Sequence, residues 1–497
     1  MDFKQEALAL INNLNNELSA SAYDIGWMAR VRDDSGKNPR WMDTVEWLLE
    51  HQYEDGSWGG VVPYVHERII CTLSALIALK ENEAVGDFTV PIKKGEDYVW
   101  QYLHTLHGDL IELVGFELLL PTLLQQACEK GLNVPSHTYG YGEQRDKKLS
   151  LLPLELFYSP TTSLAFSMEY LMQGEVLDIL ETIQQPNGAI ANSPATTAYL
   201  AIASRGENKK ALAYLDHLRS LPGYVPAFYP WNNFEISWVM QHLSYSGISL
   251  KEFGEDLHVW KTLQNALHDN GLGFDDSCVL FDGDTTSVAI HVLRMGGYDI
   301  DPMILKTFEH PEKHIFHTFK FERNMSVATN VHALEALTSM PDYPNREQVC
   351  DTIIRSLLQQ QLYQSFWIDK FHVSPYYVTS HIMIALITLR ELSIVEYSHS
   401  IEWFKHTQHS DGSWGYFKIG TIEETAYTLL ALMYYHEFVK PLNIDILHRG
   451  IEFLENHNTP DQRLTDLWIA KTNFSPPAIV DALLLATFER YRNLSKG

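Results

Sequence analysis

The chain has 497 residues, which is more than one ordinary domain needs and suits two domains that each bury a core. Hydrophobic residues make up 45% and aromatic residues 12%, a composition typical of a well-packed globular protein and unlike that of a disordered one. The formal net charge of -26 argues against a nucleic-acid partner, because such binding depends on clustered Lys and Arg. An anionic ligand would therefore need a local basic pocket.

Neither the termini nor the cysteines indicate secretion or a membrane anchor. The first residues lack the basic segment of a signal peptide, and the apolar stretch 113–124 is interrupted by Glu117 and Pro121. We therefore expect no transmembrane segment and a cytoplasmic location. The cysteines are far apart, contain no CxxC pair and suggest neither a zinc site nor a disulfide framework: Cys71, Cys128, Cys278 and Cys350.

Helical periodicity dominates the chain. Apolar residues recur at helical spacing, as at Ile69, Leu73 and Leu76, whereas the alternation typical of strands is scarce. Short breaks that contain Gly, Pro or Asn separate these segments, as at 186–188 and 269–271. The pattern predicts an all-α fold.

Two segments repeat almost word for word, at residues 47–59 and 403–415, and each ends in the letters DGSWG. Weaker copies lie at 185–190 and 270–274. Each copy is typical of a helix end, a glycine turn and a Trp that covers the next helix, as in stacked helical hairpins. We therefore interpret these Trp residues as structural and predict two related helical barrels, with boundaries near residues 40 and 250.

The string Asp282-Gly283-Asp284-Thr285-Thr286 is the strongest candidate for chemistry. Alone it is a weak signal and fits a helix N-cap with solvated carboxylates, but apolar residues precede and follow it. A carboxyl group among apolar residues keeps its proton, since burial and a neighbouring carboxylate both favour the neutral form. A neutral, desolvated acid is what protonation of an alkene requires.

We predict that Asp284 donates this proton, that Asp282 orients it, and that the Thr285 and Thr286 hydroxyls support them. The resulting carbocation would need aromatic faces along the cavity. The candidates from the sequence are Tyr229, Trp231, Phe234, Trp238, Trp367, Tyr376 and Tyr377.

Several motifs together resemble those of class II diterpene cyclases. Besides Asp282–Ser287 and the Trp repeats, the matching strings are Ser21-Ala22-Tyr23-Asp24, Gly115-Phe116-Glu117, 193–198, 226–229, Asn330-Val331-His332, 423–427 and 467–472. The resemblance covers nearly the whole chain. It is most specific to the short bacterial members, such as halimadienyl (tuberculosinyl) and kolavenyl diphosphate synthases.

The resemblance implies two α/α-barrel domains, called β and γ, with γ inserted after the first β helix and the active site between them. On this chain it implies residues 1–40 as the first part of β, 41–250 as γ and 251–497 as the remainder of β. That agrees with the two barrels predicted from the repeats.

The family also implies roles for individual residues. Its general acid falls on Asp284, and the Asn that supports this acid by a hydrogen bond falls on Asn330. The last Asp of the family's DxDD motif is Thr285 here, a departure that the bacterial relatives share and that should retune the acid.

At the diphosphate end, a Lys in a KLxxxP string of plant members falls on Lys148. The acidic motif that holds Mg²⁺ in plant members is reduced here to Asp109 and Glu112, and Mg²⁺ can complete its oxygen ligands from phosphates. We therefore expect Mg²⁺ as a cofactor.

The expected substrate is geranylgeranyl diphosphate, and the expected product is a bicyclic diterpenyl diphosphate. No Asp-rich pair of class I motifs occurs, so the diphosphate should be retained and passed to a class I terpene synthase or a phosphatase.

A water-positioning His and Asn of plant copalyl enzymes fall on Phe166 and Ala227, which cannot accept a proton. A rearranged clerodane or halimadane skeleton is therefore expected. We take the substrate-binding residues to be Lys148, Phe166, Ala227, Tyr229, Trp367 and Tyr376, and the candidates for a different base to be His332, His372, Tyr376, His381 and Glu424.

Other functions fit parts of the pattern. Within the cyclases these are a copalyl-type labdane diphosphate synthase, a farnesyl diphosphate (drimenyl) cyclase and a squalene-hopene type triterpene cyclase. Outside them are an α/α-barrel glycoside hydrolase with paired carboxylates, and a non-catalytic helical-repeat protein. Incubation with prenyl diphosphates discriminates between the cyclases and the last two.

Overall fold

The computed structural model describes residues 2–106, 112–171, 176–320, 322–389 and 394–495. The first helices are α1 (Phe3–Asn12), α2 (Ala22–Met28), α3 (Met42–Glu50), α4 (Val65–Glu81), α5 (Thr89–Tyr102), α6 (Phe116–Glu129), α7 (Tyr141–Ser150), α8 (Val176–Ile183), α9 (Pro194–Ala203) and α10 (Lys209–Leu218). The later ones are α11 (Asn232–Ser244), α12 (His258–Ala266), α13 (Gly283–Gly296), α14 (Pro302–Lys306), α15 (Val327–Thr338), α16 (Arg346–Gln359), α17 (Pro375–Leu389), α18 (Ile394–Thr407), α19 (Ile422–Phe438), α20 (Asp445–His457) and α21 (Pro477–Leu494).

Short 3-10 helices and strands complete the fold. The 3-10 helices are η1 (Leu103–Thr105), η2 (Leu154–Tyr158), η3 (Ser163–Tyr170), η4 (Leu250–Phe253) and η5 (Pro460–Arg463). The strands are β1 (Leu272–Gly273), β2 (Phe281–Asp282), β3 (Trp468–Ile469) and β4 (Asn473–Phe474), paired antiparallel as β1–β2 and β3–β4. The prediction of an all-α fold is confirmed.

Six helices form a closed inner ring in the larger barrel. Each packs on the next in the order α11, α13, α15, α17, α19, α21, and α21 packs back on α11. α12, α16 and α20 pack outside this ring, and α1 lies against α21 and α11. Because the inner helices are enclosed on all sides, they are apolar almost all round, as the buried positions of α17 and α19 illustrate.

The second barrel has an inner ring of α2, α4, α6, η3 and α9, with α9 packing back on α2. α3, α5, α7, α8 and α10 lie outside it. We propose that this ring is the expected γ domain and that the six-helix ring is the expected β domain.

Helix packing moves the predicted domain boundaries. α2 packs on α4 and α9 of the γ ring, whereas α11 packs on α13 and α21 of the β ring. The chain thus passes from one ring to the other before α2 and again before α11. These two connections are adjacent, since Ser21 N–H donates to Val225 O at 2.9 Å. We therefore propose boundaries near residues 20 and 230 in place of 40 and 250. The sequence did not reveal which ring α2 joins, because this helix is short and all of its residues are buried.

The Trp repeats close helical hairpins, as predicted. The indole N–H of Trp58 donates to Leu48 O at 2.6 Å, and that of Trp414 donates to Phe404 O at 2.8 Å. Trp367 makes the same bond to Leu357 O at 2.6 Å, so it is a third copy of this structural device. Its predicted place on the substrate cavity is therefore wrong.

The glycine of each strong repeat has a steric reason. Gly56 and Gly412 have φ values of +89° and +92°, and an added Cβ would lie 2.3 Å from the carbonyl oxygen of Lys94 or Arg449. Only glycine combines this left-handed turn with such a close approach. Within the described ranges, no helix has the length and apolar character needed to cross a membrane.

Candidate active site

A deep cavity lies between the two barrels. Its space, including the mouth, is about 1350 Å³. The γ domain contributes residues 112–118, Lys148 and part of η3, and the β domain contributes the start of α13 and the β3–β4 hairpin. Asp282, Asp284 and Thr285 line it, together with three lysines and many aromatic rings. The two predicted ends of the site, acid and diphosphate anchor, therefore share one cavity.

Local structure fixes the two aspartates at the start of α13. Leu272 pairs with Asp282 across the β1–β2 ladder, which ends the strand where the helix begins. Asp282 is the N-cap, and its side chain accepts from Thr285 N at 2.6 Å. Between the aspartates, Gly283 passes so close to the neighbouring loop that a Cβ would lie 2.3 Å from His317 O. The two aspartates are therefore held on a tightly packed backbone turn.

The surroundings of Asp282 favour its neutral form. It is 2% exposed, and its Oδ2 atom is buried without a hydrogen-bond partner in the described structure. Burial, with a smaller contribution from the charge of Asp284, raises the pKa of Asp282 to about 7. One of the two carboxyl groups is therefore protonated over much of the neutral range.

Asp284 is paired with a histidine. His332 Nδ1 on α15 lies 2.7 Å from Asp284 Oδ1, and the imidazole is fully buried. Burial acts to lower the pKa of His332, but the charge and hydrogen bond of Asp284 outweigh it, so the pKa is raised. His332 therefore donates to Asp284 as a charged or strongly polarised ring.

The predicted hydrogen bond from Asn330 to Asp284 is not present. Asn330 Oδ1 accepts from Phe316 N at 2.8 Å, and its Nδ2 donates to Phe316 O and Ser326 O at 2.7 and 2.9 Å. On α15, positions 330 and 332 point in different directions, which the motif alone did not reveal. Asn330 instead anchors the loop that packs against Gly283, and His332, two residues on, contacts the acid.

Thr285 occupies the position of the family's last aspartate. Its Oγ1 lies buried on the cavity wall without a hydrogen-bond partner among the described residues. Thr286 has a structural role, since its hydroxyl donates to Asp282 O at 2.6 Å and accepts from Leu272 N at 2.9 Å. Only the first of the two threonines thus faces the reaction space.

The basic end of the cavity is built around Lys148. Its ammonium lies 3.1 Å from Glu112 and 2.6 Å from Glu117. Burial acts to lower the pKa of Lys148, but these two carboxylates outweigh it and the pKa is raised. Lys148 is therefore charged and turned inward, as a diphosphate anchor requires.

The sequence prediction missed a second lysine. Lys370 is 4% exposed, lines the cavity and bridges Glu112 at 3.5 Å and Glu322 at 2.8 Å. Lys320 lines the same end. No motif identified Lys370, because it is far from Lys148 in sequence. The three ammonium groups supply the local basic pocket that the acidic chain needs.

The residues predicted for Mg²⁺ do not make a ready metal site. Asp109 lies outside the described residues. Glu112 accepts from Arg323 N at 2.9 Å and Lys148 at 3.1 Å, so both of its oxygens are engaged. Lys148 and Lys370 outweigh burial and lower the pKa of Glu112. Its negative charge is neutralised by lysines, which removes the attraction for a cation.

Aromatic rings cover the wall between the acid and the lysines. Phe234 and Trp238 stack at 3.9 Å, and Tyr377 and Trp468 pack beside them with centroids 5.1 Å apart. The sequence prediction named Phe234, Trp238 and Tyr377 correctly. The rings on this wall that it did not name are Phe228, Phe274, Phe319, Phe371, Trp468 and Phe474.

Other predicted substrate contacts differ in outcome. Phe166 on η3 lines the cavity, whereas Ala227, Tyr229, Trp367 and Tyr376 are absent from its wall. Tyr376 stacks on Trp403 at 4.7 Å outside the cavity, and Tyr214 donates to Tyr229 O in a loop. The proposed alternative bases His332, His372, Tyr376, His381 and Glu424 are likewise not part of the wall.

Comparison with known proteins matches this architecture. The chain is 32% identical over 499 residues to the type B diterpene cyclase of Mycobacterium tuberculosis, covering 95% of this chain and 96% of that protein. It is 30% identical over 318 residues to a copal-8-ol diphosphate hydratase of Salvia sclarea, covering 61% of this chain and 40% of the plant protein. No protein-family model matches the chain.

Solved structures agree. The ent-copalyl diphosphate synthase of Streptomyces platensis superposes with a TM-score of 0.78 at 25% identity, over 98% of this chain and 99% of that one. The Arabidopsis thaliana ent-copalyl diphosphate synthase has the same fold, with a TM-score of 0.64 at 21% identity over 99% of this chain and 79% of that one. The two-ring fold and the buried aspartates facing an aromatic cavity define a class II terpene cyclase. The chain belongs to the class II diterpene cyclases, which are isomerase-type enzymes that act by acid catalysis.

Proposed function

We propose that this enzyme cyclises geranylgeranyl diphosphate to a bicyclic diterpenyl diphosphate and leaves the diphosphate attached. The observation that carries the proposal is the single cavity with Asp284 and Asp282 on its wall and Lys148, Lys370 and Lys320 at its basic end. One linear substrate can therefore present an alkene to the acid while its charged end binds the lysines.

Asp284 is the proposed general acid. Its Oδ1 accepts from His332 at 2.7 Å, so in the protonated form of Asp284 the proton for the terminal alkene is carried by Oδ2. The proton moves from Oδ2 to the alkene carbon, and the positive charge passes to the substrate. The ionised Asp284 that raises the pKa of His332 is the form left after this transfer. A charged or polarised His332 stabilises the carboxylate that remains, which strengthens the acid. Asp282 fixes the turn and, while neutral, adds no second negative charge.

The aromatic wall is proposed to guide the carbocation. Phe234, Trp238 and Tyr377 present π faces and edges along the cavity, and such faces stabilise a cation by about 1–2 kcal/mol each when desolvated. Few polar side chains interrupt this wall, so water is largely excluded and the cation survives long enough for ring closure.

A rearranged clerodane or halimadane skeleton, as in kolavenyl or halimadienyl diphosphate, is the proposed product. Phe166 lines the cavity and offers no proton acceptor, and Ala227 lies off the wall. An early deprotonation at this place is therefore disfavoured, and hydride and methyl shifts can proceed. If the hydride and methyl shifts do not occur, the expected product is unrearranged copalyl diphosphate.

We propose that Mg²⁺ acts only as a counterion bound to the diphosphate and not as a resident cofactor. Glu112 and Glu322 already form ion pairs with lysines. Among the described residues, few free carboxylates are therefore left to bind a Mg²⁺ ion that arrives with the diphosphate. We expect activity to persist after chelation with EDTA and to change no more than a few-fold on adding Mg²⁺.

The test is incubation of the purified chain with geranylgeranyl and farnesyl diphosphates, followed by phosphatase treatment and mass spectrometry. A cyclic diterpene alcohol from the first substrate supports the proposal, and NMR assigns its skeleton. Cyclisation of farnesyl diphosphate alone would identify a drimenyl-type enzyme instead. A class I terpene synthase or a phosphatase is the proposed consumer of the product, since the diphosphate is retained.

A further inference from the structure

Three potential metal ligands lie together behind the cavity wall. His332, Glu335 and His381 each offer a ligand atom within 4.8 Å of the other two, and all three side chains are buried. They lie behind Tyr377, whose ring centroid is 4.6 Å from that of His381 and 6.5 Å from that of His332. None of the three lines the substrate cavity.

Both histidines have one nitrogen engaged and one free. His332 Nδ1 is 2.7 Å from Asp284, and His381 Nδ1 is 3.1 Å from the Tyr245 hydroxyl. Their Nε2 atoms are buried and have no hydrogen-bond partner in the described part of the chain. A buried polar atom without a partner costs about 1–3 kcal/mol, so two on adjacent rings indicate a missing ligand.

The hydrogen bonds also fix what these nitrogens can bind. The Tyr245 hydroxyl donates to Glu335 Oε1 at 3.2 Å, so it accepts from His381 Nδ1–H. His381 Nε2 therefore carries a lone pair. Charged His332 carries a proton on Nε2, so a cation binds there only by displacing this proton, while Nδ1 continues to donate to Asp284. After that displacement, ligand atoms of His332, Glu335 and His381 converge on one buried point.

We propose that His332, Glu335 and His381 form a binding site for a divalent transition-metal cation, zinc in the first place. Two imidazoles and one carboxylate are a ligand set that Zn²⁺ accepts in a tetrahedral site with one open position. Mg²⁺ and Ca²⁺ are disfavoured because they require oxygen ligands.

The surrounding contacts have the form of an outer shell for a metal. Asp284 and Tyr245 hold the far nitrogens of the two histidines, and Gln241 donates to Glu335 Oε2 at 2.7 Å. Partners of this kind orient ligands and raise their basicity. Each proposed ligand therefore has a partner that already fixes its direction.

Occupancy is expected to inhibit the enzyme. The cation would lie one imidazole away from Asp284, next to the end of the cavity where the substrate becomes positive. Two like charges in a buried, low-dielectric place repel strongly, so formation of the carbocation slows. This second part depends on the proposed role of Asp284, whereas the binding itself does not.

The experiment titrates the metal-free full-length chain with Co²⁺, whose visible absorption reports tetrahedral nitrogen and oxygen ligation, and then displaces it with Zn²⁺. We expect one equivalent per chain, bound slowly because Tyr377 and its neighbours enclose the site. Glu335→Gln and His381→Gln should each bind roughly 100-fold more weakly or not at all, since even outer-shell changes cost about 10- to 100-fold.

His242→Asn is the matched control. His242 is also buried in this aromatic cluster, but its nitrogens already bond Ile479 O at 3.1 Å and the Tyr427 hydroxyl at 3.2 Å. It should retain the Co²⁺ spectrum. Circular dichroism establishes that each variant is folded. Absence of the spectrum in the wild-type chain, or its persistence in folded Glu335→Gln and His381→Gln, would overturn the site.

Cyclisation assays test the inhibition separately. Zn²⁺ should slow product formation at least about tenfold in the wild-type chain, and a chelator should restore it. Tight Co²⁺ binding without inhibition would reject the inhibitory role and keep the site. A chain that binds Co²⁺ but cyclises no prenyl diphosphate under any condition would reject the proposed function and leave the metal site standing.

Discussion

Asp284 and His332 form a 2.7 Å hydrogen bond between the first turn of α13 and the middle of α15. The imidazole is fully buried, so water cannot replace it as a partner of the carboxyl group. If Asp284 is the acid, as proposed, its strength depends on a residue of another helix.

Replacing Asp284 with Asn should abolish cyclisation, with a loss of at least about 10³-fold, because the amide cannot deliver a proton. The measurement is product formation from geranylgeranyl diphosphate by mass spectrometry. Asp276→Asn is the control, since Asp276 belongs to the same acidic region but not to the cavity wall. Residual activity near that of the control would remove Asp284 from its proposed role.

Substitution of His332 should change kcat, whereas substitution of Asn330 should change the stability of the fold. His332→Phe removes a hydrogen bond to a charged group, worth about 1.5–3 kcal/mol, so kcat should fall roughly 10- to 150-fold with a small change in KM. His332→Asn, which restores an amide donor, should recover part of this loss. A large KM effect with unchanged kcat would contradict the assignment.

Asn330→Ala should act on stability instead. It breaks three buried hydrogen bonds to Phe316 and Ser326, which costs about 2–4 kcal/mol once the unpaired backbone groups are included. A clear fall in the melting temperature is expected. Full loss of kcat at unchanged stability would instead restore the role that the motif suggested.

Lys370→Ala should raise KM for geranylgeranyl diphosphate about tenfold or more, because the substrate loses a charged hydrogen-bond donor. Lys148→Ala should behave similarly. Lys147→Ala, whose side chain is exposed on the same helix as Lys148, provides the control and should leave KM unchanged. Equal effects at 147 and 148 would indicate a general charge effect and not a built site.

Asp282 should make stability depend on pH. Burial raises its pKa to about 7, whereas an aspartate in an unfolded chain titrates near ~4. The folded state thus binds this proton more tightly, and the resulting stabilisation is present below about pH 4 and is lost as the pH rises through 7. Asp282→Asn keeps an N-cap but removes the charge. Its stability relative to the wild type should increase between pH 5 and pH 8, by roughly 2–3 kcal/mol, in denaturant unfolding. A pH-independent difference would contradict the raised pKa.

Phe166→His should introduce a proton acceptor on the cavity wall. Part of the product should then shift to an unrearranged bicycle or its hydrated form, as seen by gas chromatography of the dephosphorylated extract. Ala227→Asn is the comparison, and it should change little because Ala227 does not line the cavity. The same product spectrum in wild type and Phe166→His would weaken the explanation of rearrangement.

Local signals were predictable from the sequence, and spatial ones were not. Helical period and the Gly-Trp repeats depend on neighbours in the chain, and the structure contains both. The N-cap at Asp282 was considered only as an alternative to a catalytic role and with a solvated carboxylate, whereas the structure shows an N-cap that is buried. Which face of α15 meets α13 depends on packing between helices, so Asn330 was chosen where His332 is the partner. Lys370 was missed for the same reason. Trp367 was wrongly placed on the cavity because its segment lacks the DGSWG sequence of the two strong repeats, although its indole makes the same hydrogen bond.

The lysines at the mouth of the cavity have a consequence for turnover. In the proposed reaction the diphosphate stays attached, so Lys148 and Lys370 would meet the same anionic group before and after it. They therefore cannot distinguish substrate from product, and only the changed shape of the hydrocarbon can favour departure. The carboxylates of Glu112 and Glu322 pair with these lysines, and they would compete for them with substrate and product alike.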